Sequence, residues 1–178
     1  MLNQGRYREA EQLLLQALKA AGPANVTAVY NLASLYQRQG LFQEAERLHR
    51  LALERMERAR GPFDPGVAQS LSDLGALYRS LGRYSQAIGV LERAVQILDR
   101  NPPQKFACTV FNHLGNTYYD LGQYAKADSL VGRALAIAES GNFEDPSDLG
   151  YIHSSLGRGS VLRKQYAAAE GMYRWFAG

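Results

Sequence analysis

Apolar and small side chains recur along this chain at i, i+3, i+4 and i+7 in three separate places. Val29, Leu32, Ala33 and Tyr36 form the first set. Leu71, Leu74, Gly75 and Tyr78 form the second, and Phe111, Leu114, Gly115 and Tyr118 the third. That spacing lies on one face of an α-helix. A glycine follows each set, at Gly40, Gly82 and Gly122. Glycine adopts the left-handed conformation that a helix C-terminus needs, so each one predicts a stop. An aromatic residue two positions later, with an alanine three beyond it, then opens a second helix. The pairs are Phe42 and Ala45, Tyr84 and Ala87, Tyr124 and Ala127, with further copies at Tyr7 and Ala10 and at Tyr166 and Ala169. Ala52, Ala94 and Ala134 continue the same face.

The glycines set the period. Gly5 to Gly40 is 35 residues, Gly40 to Gly82 is 42 and Gly82 to Gly122 is 40, with Lys164 in the equivalent place another 42 on. Periods of this size mark stacked supersecondary units. The breaker-rich segments GPFDPG (61–66), NPPQKF (101–106) and GNFEDPSD (141–148) join the units. No strand-like alternation appears, so the pattern predicts an all-α chain. Small residues at Ala33, Gly75, Gly115 and Gly157 allow close approach of paired helices.

The segments NLASLYQRQGLFQEAERLHRLAL (31–53) and DLGALYRSLGRYSQAIGVLERAV (73–95) resemble the tetratricopeptide repeat, with its L-G/A-x-x-Y, G-x-Y, A and A-L pattern. The 40–42 residue spacing is similar to the kinesin light chain-like variant. The resemblance covers the whole chain and implies a right-handed superhelical solenoid of tandem helix–turn–helix repeats. It divides residues 1–178 into a partial repeat over 1–22, repeats over 25–64, 67–105 and 107–146, and an atypical partial repeat over 149–178. In the last, Ser160 replaces the tyrosine, Lys164 the glycine and Phe176 an alanine. Register truncated at both ends leads us to expect a piece of a longer array or an array with weak ends.

Charge and composition narrow the classes. The 20 basic and 17 acidic residues give a net charge of +3 and are interspersed, without the concentrated patch that nucleic acid binding leaves. No apolar run approaches the roughly 18 residues of a membrane span, and the N-terminus lacks a signal-peptide core. A cytoplasmic location is the resulting expectation. The single cysteine, Cys108, excludes an internal disulfide. His49, His113 and His153 stand in no metal-ligand spacing and face no nucleophile, so no cofactor, metal or catalytic site is expected. His49 occupies a packing position held by Leu91 and Val131 in other repeats, and His153 an apolar packing position.

In stacked two-helix units the first helices line the concave side. The side of each first helix opposite its apolar stripe is then the candidate surface. It presents Tyr30, Asn31, Ser34 and Arg38 in one repeat and Asp73 and Arg79 in the next. Asn112, His113, Asn116 and Tyr119 follow in the third. Short polar groups suit an extended peptide backbone, and tyrosines add contact area at low entropic cost. The resemblance implies peptide contact at the places of Asn31 and Asn112. It also implies that chaperone-type dicarboxylate binding is missing, because Tyr30, Ser34, Asp73, Thr109 and His113 stand where that clamp needs lysine or arginine. The expected function is a non-catalytic protein- or peptide-binding module. The alternatives are self-association through chain ends carrying Tyr173, Trp175 and Phe176, or the sensing arm of a larger enzyme.

Overall fold

The computed structural model describes residues 26–101, 106–140 and 150–164, with residues 12, 13 and 16 before them. Six helices follow in order: α1 (Val26–Arg38), α2 (Phe42–Arg60), α3 (Pro65–Ser80), α4 (Tyr84–Leu98), α5 (Ala107–Asp120) and α6 (Tyr124–Glu139). Residues 150–164 are also helical, and no strand occurs among the described residues. The all-α architecture is thus the one the periodicity predicted. The partial repeat over 1–22 and the aromatic residues 173, 175 and 176 lie outside the continuous described segments.

Each helix pair is closed by the same backbone device. Gly40, Gly82 and Gly122 have φ of 77°, 70° and 71°, a conformation costly for any residue with a Cβ. The amide after each glycine donates to the carbonyl of the tyrosine five residues back. Leu41 reaches Tyr36, Arg83 reaches Tyr78 and Gln123 reaches Tyr118, each at 2.9 Å. The glycine amides donate to Gln37, Arg79 and Tyr119. This Schellman pairing satisfies carbonyls that the helix end would otherwise orphan. At the other kind of junction, Asp64 caps α3 by accepting from the Gly66 amide at 2.7 Å, and Pro65 supplies the pre-set φ of the first turn.

α1 packs on α2, α3 on α4 and α5 on α6, and the hairpins stack in chain order. The first helices α3 and α5 also touch directly, whereas α4 and α6 make no comparable contact. The stack therefore curves with its first helices inside. One apolar core runs from Ala45 and Val67 to Ile152, and a smaller one, with Val29, Leu32, Ala33, Leu48 and Ala52, fills the α1–α2 hairpin. Between the second helices, each repeat pairs an acid with an arginine of the next: Glu57 with Arg93 at 2.5 Å and Asp99 with Arg133 at 3.0 Å. These pairs are partly exposed and contribute little, about 0–1 kcal/mol each.

His49 is buried against this core, as its place in the repeat predicts, and its Nε2 has no hydrogen-bond partner. His153 corrects the sequence reading. It is exposed, because the helix over 150–164 turns Ile152, Ser155 and Gly159 inward instead.

A Cβ built on Gly115 would lie 2.5 Å from Val131 Cγ2 and 3.2 Å from the Ala127 carbonyl oxygen. Gly132, on the exposed side of α6, has nothing within 4 Å. We expect Gly115→Ala to destabilise by about 1–3 kcal/mol from overpacking, and Gly132→Ala to stabilise by about 0.5–1 kcal/mol through helix propensity. Urea unfolding followed by circular dichroism checks this. A Gly115→Ala variant as stable as wild type would show that the close approach is not limiting.

Candidate functional site

The inner side of the first helices divides into an open strip and a set of seams. Thr27, Asn31 and Arg38 on α1 and Gln69 on α3 are exposed. Between α1 and α3 lies a cavity of about 290 Å³ lined by Thr27, Tyr30, Asn31, Met56, Gln69 and Ser70. Polar tips and an apolar wall meet there.

The seams are polar contacts between consecutive first helices. Across α1 and α3, the Tyr30 phenol interacts with the Asp73 carboxylate, and within α1 with Ser34. Across α3 and α5, Ser72 Oγ lies 3.0 Å from His113 Nδ1, and Arg79 Nε donates to Asp120 Oδ2 at 2.7 Å. Across α5 and the 150–164 helix, Asn116 Nδ2 donates to Ser155 Oγ at 2.8 Å, and Arg158 pairs with Asp120. His113 also meets the edge of the Tyr151 ring. Partners in these seams lie about one repeat apart in sequence, which is what stacking of equivalent helix faces requires.

The candidate residues therefore fall into three environments. Asn31 and Arg38 are open to solvent. Tyr30, Ser34, Asp73, Arg79 and His113 are half-buried in or beside seams. Asn112, Asn116 and Tyr119 are buried, and for these the expectation of a solvent-facing inner surface is corrected. Asn116 bridges Asn112 and Ser155, and Tyr119 donates to Asp128 Oδ1 at 2.5 Å beneath Gly159. The next helix covers all three. Asp120 holds both Arg79 and Arg158, and its acid stands one repeat beyond Arg79 and one before Arg158. Both arginines share that one carboxylate, and Arg38 is the exposed cation that the inner side of α1, α3 and α5 retains.

Burial dominates the electrostatics. It pushes the Asp73 carboxyl up to about 7, with Tyr30 acting in the opposite sense, and Asp73 Oδ2 has no hydrogen-bond partner. Tyr30 is raised to about 12 by burial and by the Asp73 charge. His113 falls to about 4 through burial and the nearby Arg79 charge, and His49 falls to about 4 through burial. Both imidazoles are therefore neutral at pH 7. Among the described residues no three metal-ligating side chains converge, and no helix is long and apolar enough to cross a membrane.

Stacked two-helix units with a polar inner strip define an α-solenoid of the interaction-scaffold class. Models of the tetratricopeptide repeat match residues 25–100 and 108–140, and the chain belongs to the tetratricopeptide repeat family. Its likeness within that family is to kinesin light chain members. It is 35% identical over 112 residues to Protein KINESIN LIGHT CHAIN-RELATED 3 of Arabidopsis thaliana, an overlap of 58% of this chain and 17% of that protein. The chain thus spans under a fifth of the length of that relative. Among solved structures it resembles BtubC (BKLC) from P. vanneervenii, with a TM-score of 0.70, 24% identity, and coverage of 99% of this chain and 77% of that one. It also resembles the nearly identical TPR-like repeats of a Podosopora anserina protein, with a TM-score of 0.63, 23% identity, and coverage of 96% and 90%. Repeats of this family generally mediate protein–protein interaction, as non-catalytic scaffolds.

The raised Asp73 carboxyl has a definite consequence for stability. The folded chain holds a proton that the unfolded chain releases near pH 3.8, so stability falls as pH rises from about 4 to about 7 and stays lowered above that. The two histidines act oppositely, removing stability as pH falls from about 6.5 to about 4. Asp73→Asn keeps the histidine terms and deletes the carboxyl term. Its stability relative to wild type should therefore grow with pH across the carboxyl window, by at most about 1.4 kcal/mol per pH unit, and level off above pH 7. Urea unfolding of both proteins from pH 4 to 8 measures the difference. A pH-independent difference would mean that Asp73 titrates as an ordinary exposed carboxylate.

Proposed function

We propose that the array is a non-catalytic binding module that takes a peptide segment of a partner protein along its inner face. The observation that carries this reading is the open strip of Thr27, Asn31, Arg38 and Gln69 beside the α1–α3 cavity. These groups offer donors and acceptors to a peptide backbone without having to break a seam. The cavity beside them can receive a side chain between two rigid helices, so little ordering is needed at either partner.

The test uses exposed positions only, so that binding and folding separate. A peptide-display selection is run in parallel on the wild type and on Asn31→Ala, Arg38→Ala, Gln69→Ala, with matched helicity and unfolding midpoint. Peptides enriched on the wild type should lose at least about tenfold in affinity on the triple variant, as expected for losing two or three hydrogen bonds worth about 0.5–1.5 kcal/mol each. Equal enrichment on both proteins, or none on either, would count against the inner face.

A further inference from the structure

We infer that the α1–α3 seam is a subsite for a basic side chain, lysine or arginine, of the bound peptide, with Asp73 as the group that pairs with it. This rests on the peptide-binding reading above and specifies the chemistry of its ligand. The seams differ in how their carboxylates are paired. At α3–α5 the inward residue His113 is bonded to Ser72, and at the next seam Ser155 is bonded to Asn116. Asp120, the carboxylate on α5, is held by Arg79 and Arg158. Asp73 is the carboxylate of α3 and pairs with no cation among the described residues; a phenol faces it, and its Oδ2 is shut from solvent without a donor.

A buried carboxylate lacking a counter-charge is strongly disfavoured, and a cation that reached it would relieve that cost. The route to it is the adjoining cavity. Tyr30 both lines that cavity and interacts with Asp73, so it stands between the two. Rotation of its ring would open the carboxylate to a ligand. The cavity walls suit a long stem with a charged head: Met56 and the Tyr30 ring can cover methylenes, and Thr27, Asn31 and Gln69 offer acceptor oxygens. A ring displaced beside an ammonium or guanidinium also offers its face to the charge.

The pairing carries a pH signature. A cation binds the ionised carboxylate, so affinity strengthens as Asp73 loses its proton. The other titratable groups packed around the seam are Tyr30 from α1, His49 from α2 at the edge of the Tyr30 ring, and His113 from α5 bonded to the neighbouring Ser72. The tyrosine stays protonated and both histidines stay neutral from pH 6 to 8. Lysine and arginine on the ligand do not titrate in that range, and N-acetylated peptides remove the terminal amine that would. A change in the Lys-over-Gln preference between pH 6 and 8 therefore belongs to Asp73.

The experiment is a positional-scanning peptide library, each position in turn fixed as Lys, Arg, Gln or Asp, measured on the full 178-residue chain at pH 6 and 8. The wild type should prefer Lys or Arg over Gln at one position by at least about tenfold, the order of one charge-assisted hydrogen bond. That preference should be larger at pH 8 than at pH 6. Asp73→Asn should abolish both the preference and its pH dependence while still binding the remaining peptide. Tyr30→Phe, which keeps the ring and removes the phenol, should retain the preference. Equal binding of Lys and Gln peptides, or a preference that survives Asp73→Asn, would overturn the cation subsite and leave peptide binding standing. Absence of binding by every library member would overturn both.

Discussion

The stack depends on how closely the two helices of each repeat approach. At Gly75 the missing Cβ makes room for Leu91, and at Gly115 for Val131. Both branched side chains are fully buried there, so each serves as a knob seated on bare backbone. The closeness fixes the hairpin angle. The tyrosine one turn later stands at the hairpin's end, where its carbonyl accepts the bond that closes the turn. The first repeat solves the same problem differently. Ala33 replaces the glycine and His49 the branched knob, with the imidazole edge-on to Tyr30. The cost is a buried Nε2 without a partner. That hairpin also belongs to the smaller of the two apolar clusters.

Within a repeat the contacts are apolar, while between first helices they are largely polar. This division matters for function. Apolar packing makes each hairpin rigid and joins it to its neighbours, and directional hydrogen bonds between first helices add orientation to that stack. In a quasi-one-dimensional stack, stability is a sum of unit and neighbour terms. The polar seams are thus where small changes in pairing alter geometry without unfolding a unit. Asp120 offsets one of the two positive charges of Arg79 and Arg158, so the inner face carries less charge than its residue list suggests.

The fold was legible because each repeat states its structure several times over. The apolar spacing, the glycine, the aromatic and the alanines agree, and an error at one is outvoted by the others. The candidate surface was read from one argument only, the side of a helix opposite its apolar stripe. That argument cannot tell solvent from a neighbouring first helix. Asn31 and Arg38 lie on the solvent side, while Asn112, Asn116 and Tyr119 are covered by the following helix. Polar side chains gave no warning, because a buried seam of amides and hydroxyls has the composition of a wet surface. Comparing residues one repeat apart would have helped, since Arg79 and Asp120, or Asn116 and Ser155, are complementary at that distance. His153 was misplaced for a related reason: its helix packs through Ile152, Ser155 and Gly159, a face the weak local pattern did not mark.

The seams also differ in what they leave unmet: on α5 the buried Asn112 Nδ2 is a donor without a partner, and on α3 Asp73 Oδ2 is an acceptor without one. The α3–α5 seam joins a hydroxyl to an imidazole and adds an ion pair. The α5 seam with the 150–164 helix joins an amide to a hydroxyl and adds a second arginine on the same carboxylate. The α1–α3 seam holds one carboxylate against one phenol, leaving an oxygen unpaired. Unmet hydrogen-bonding capacity makes a seam weaker than its neighbours and more responsive to a partner that supplies the missing donor. A ligand gains most where the scaffold is least satisfied. The open polar strip, the cavity and the incomplete seam all lie between α1 and α3. Coincidence of these three features is what distinguishes one stretch of an otherwise repetitive surface, because the repeats that pack best have the least left to offer.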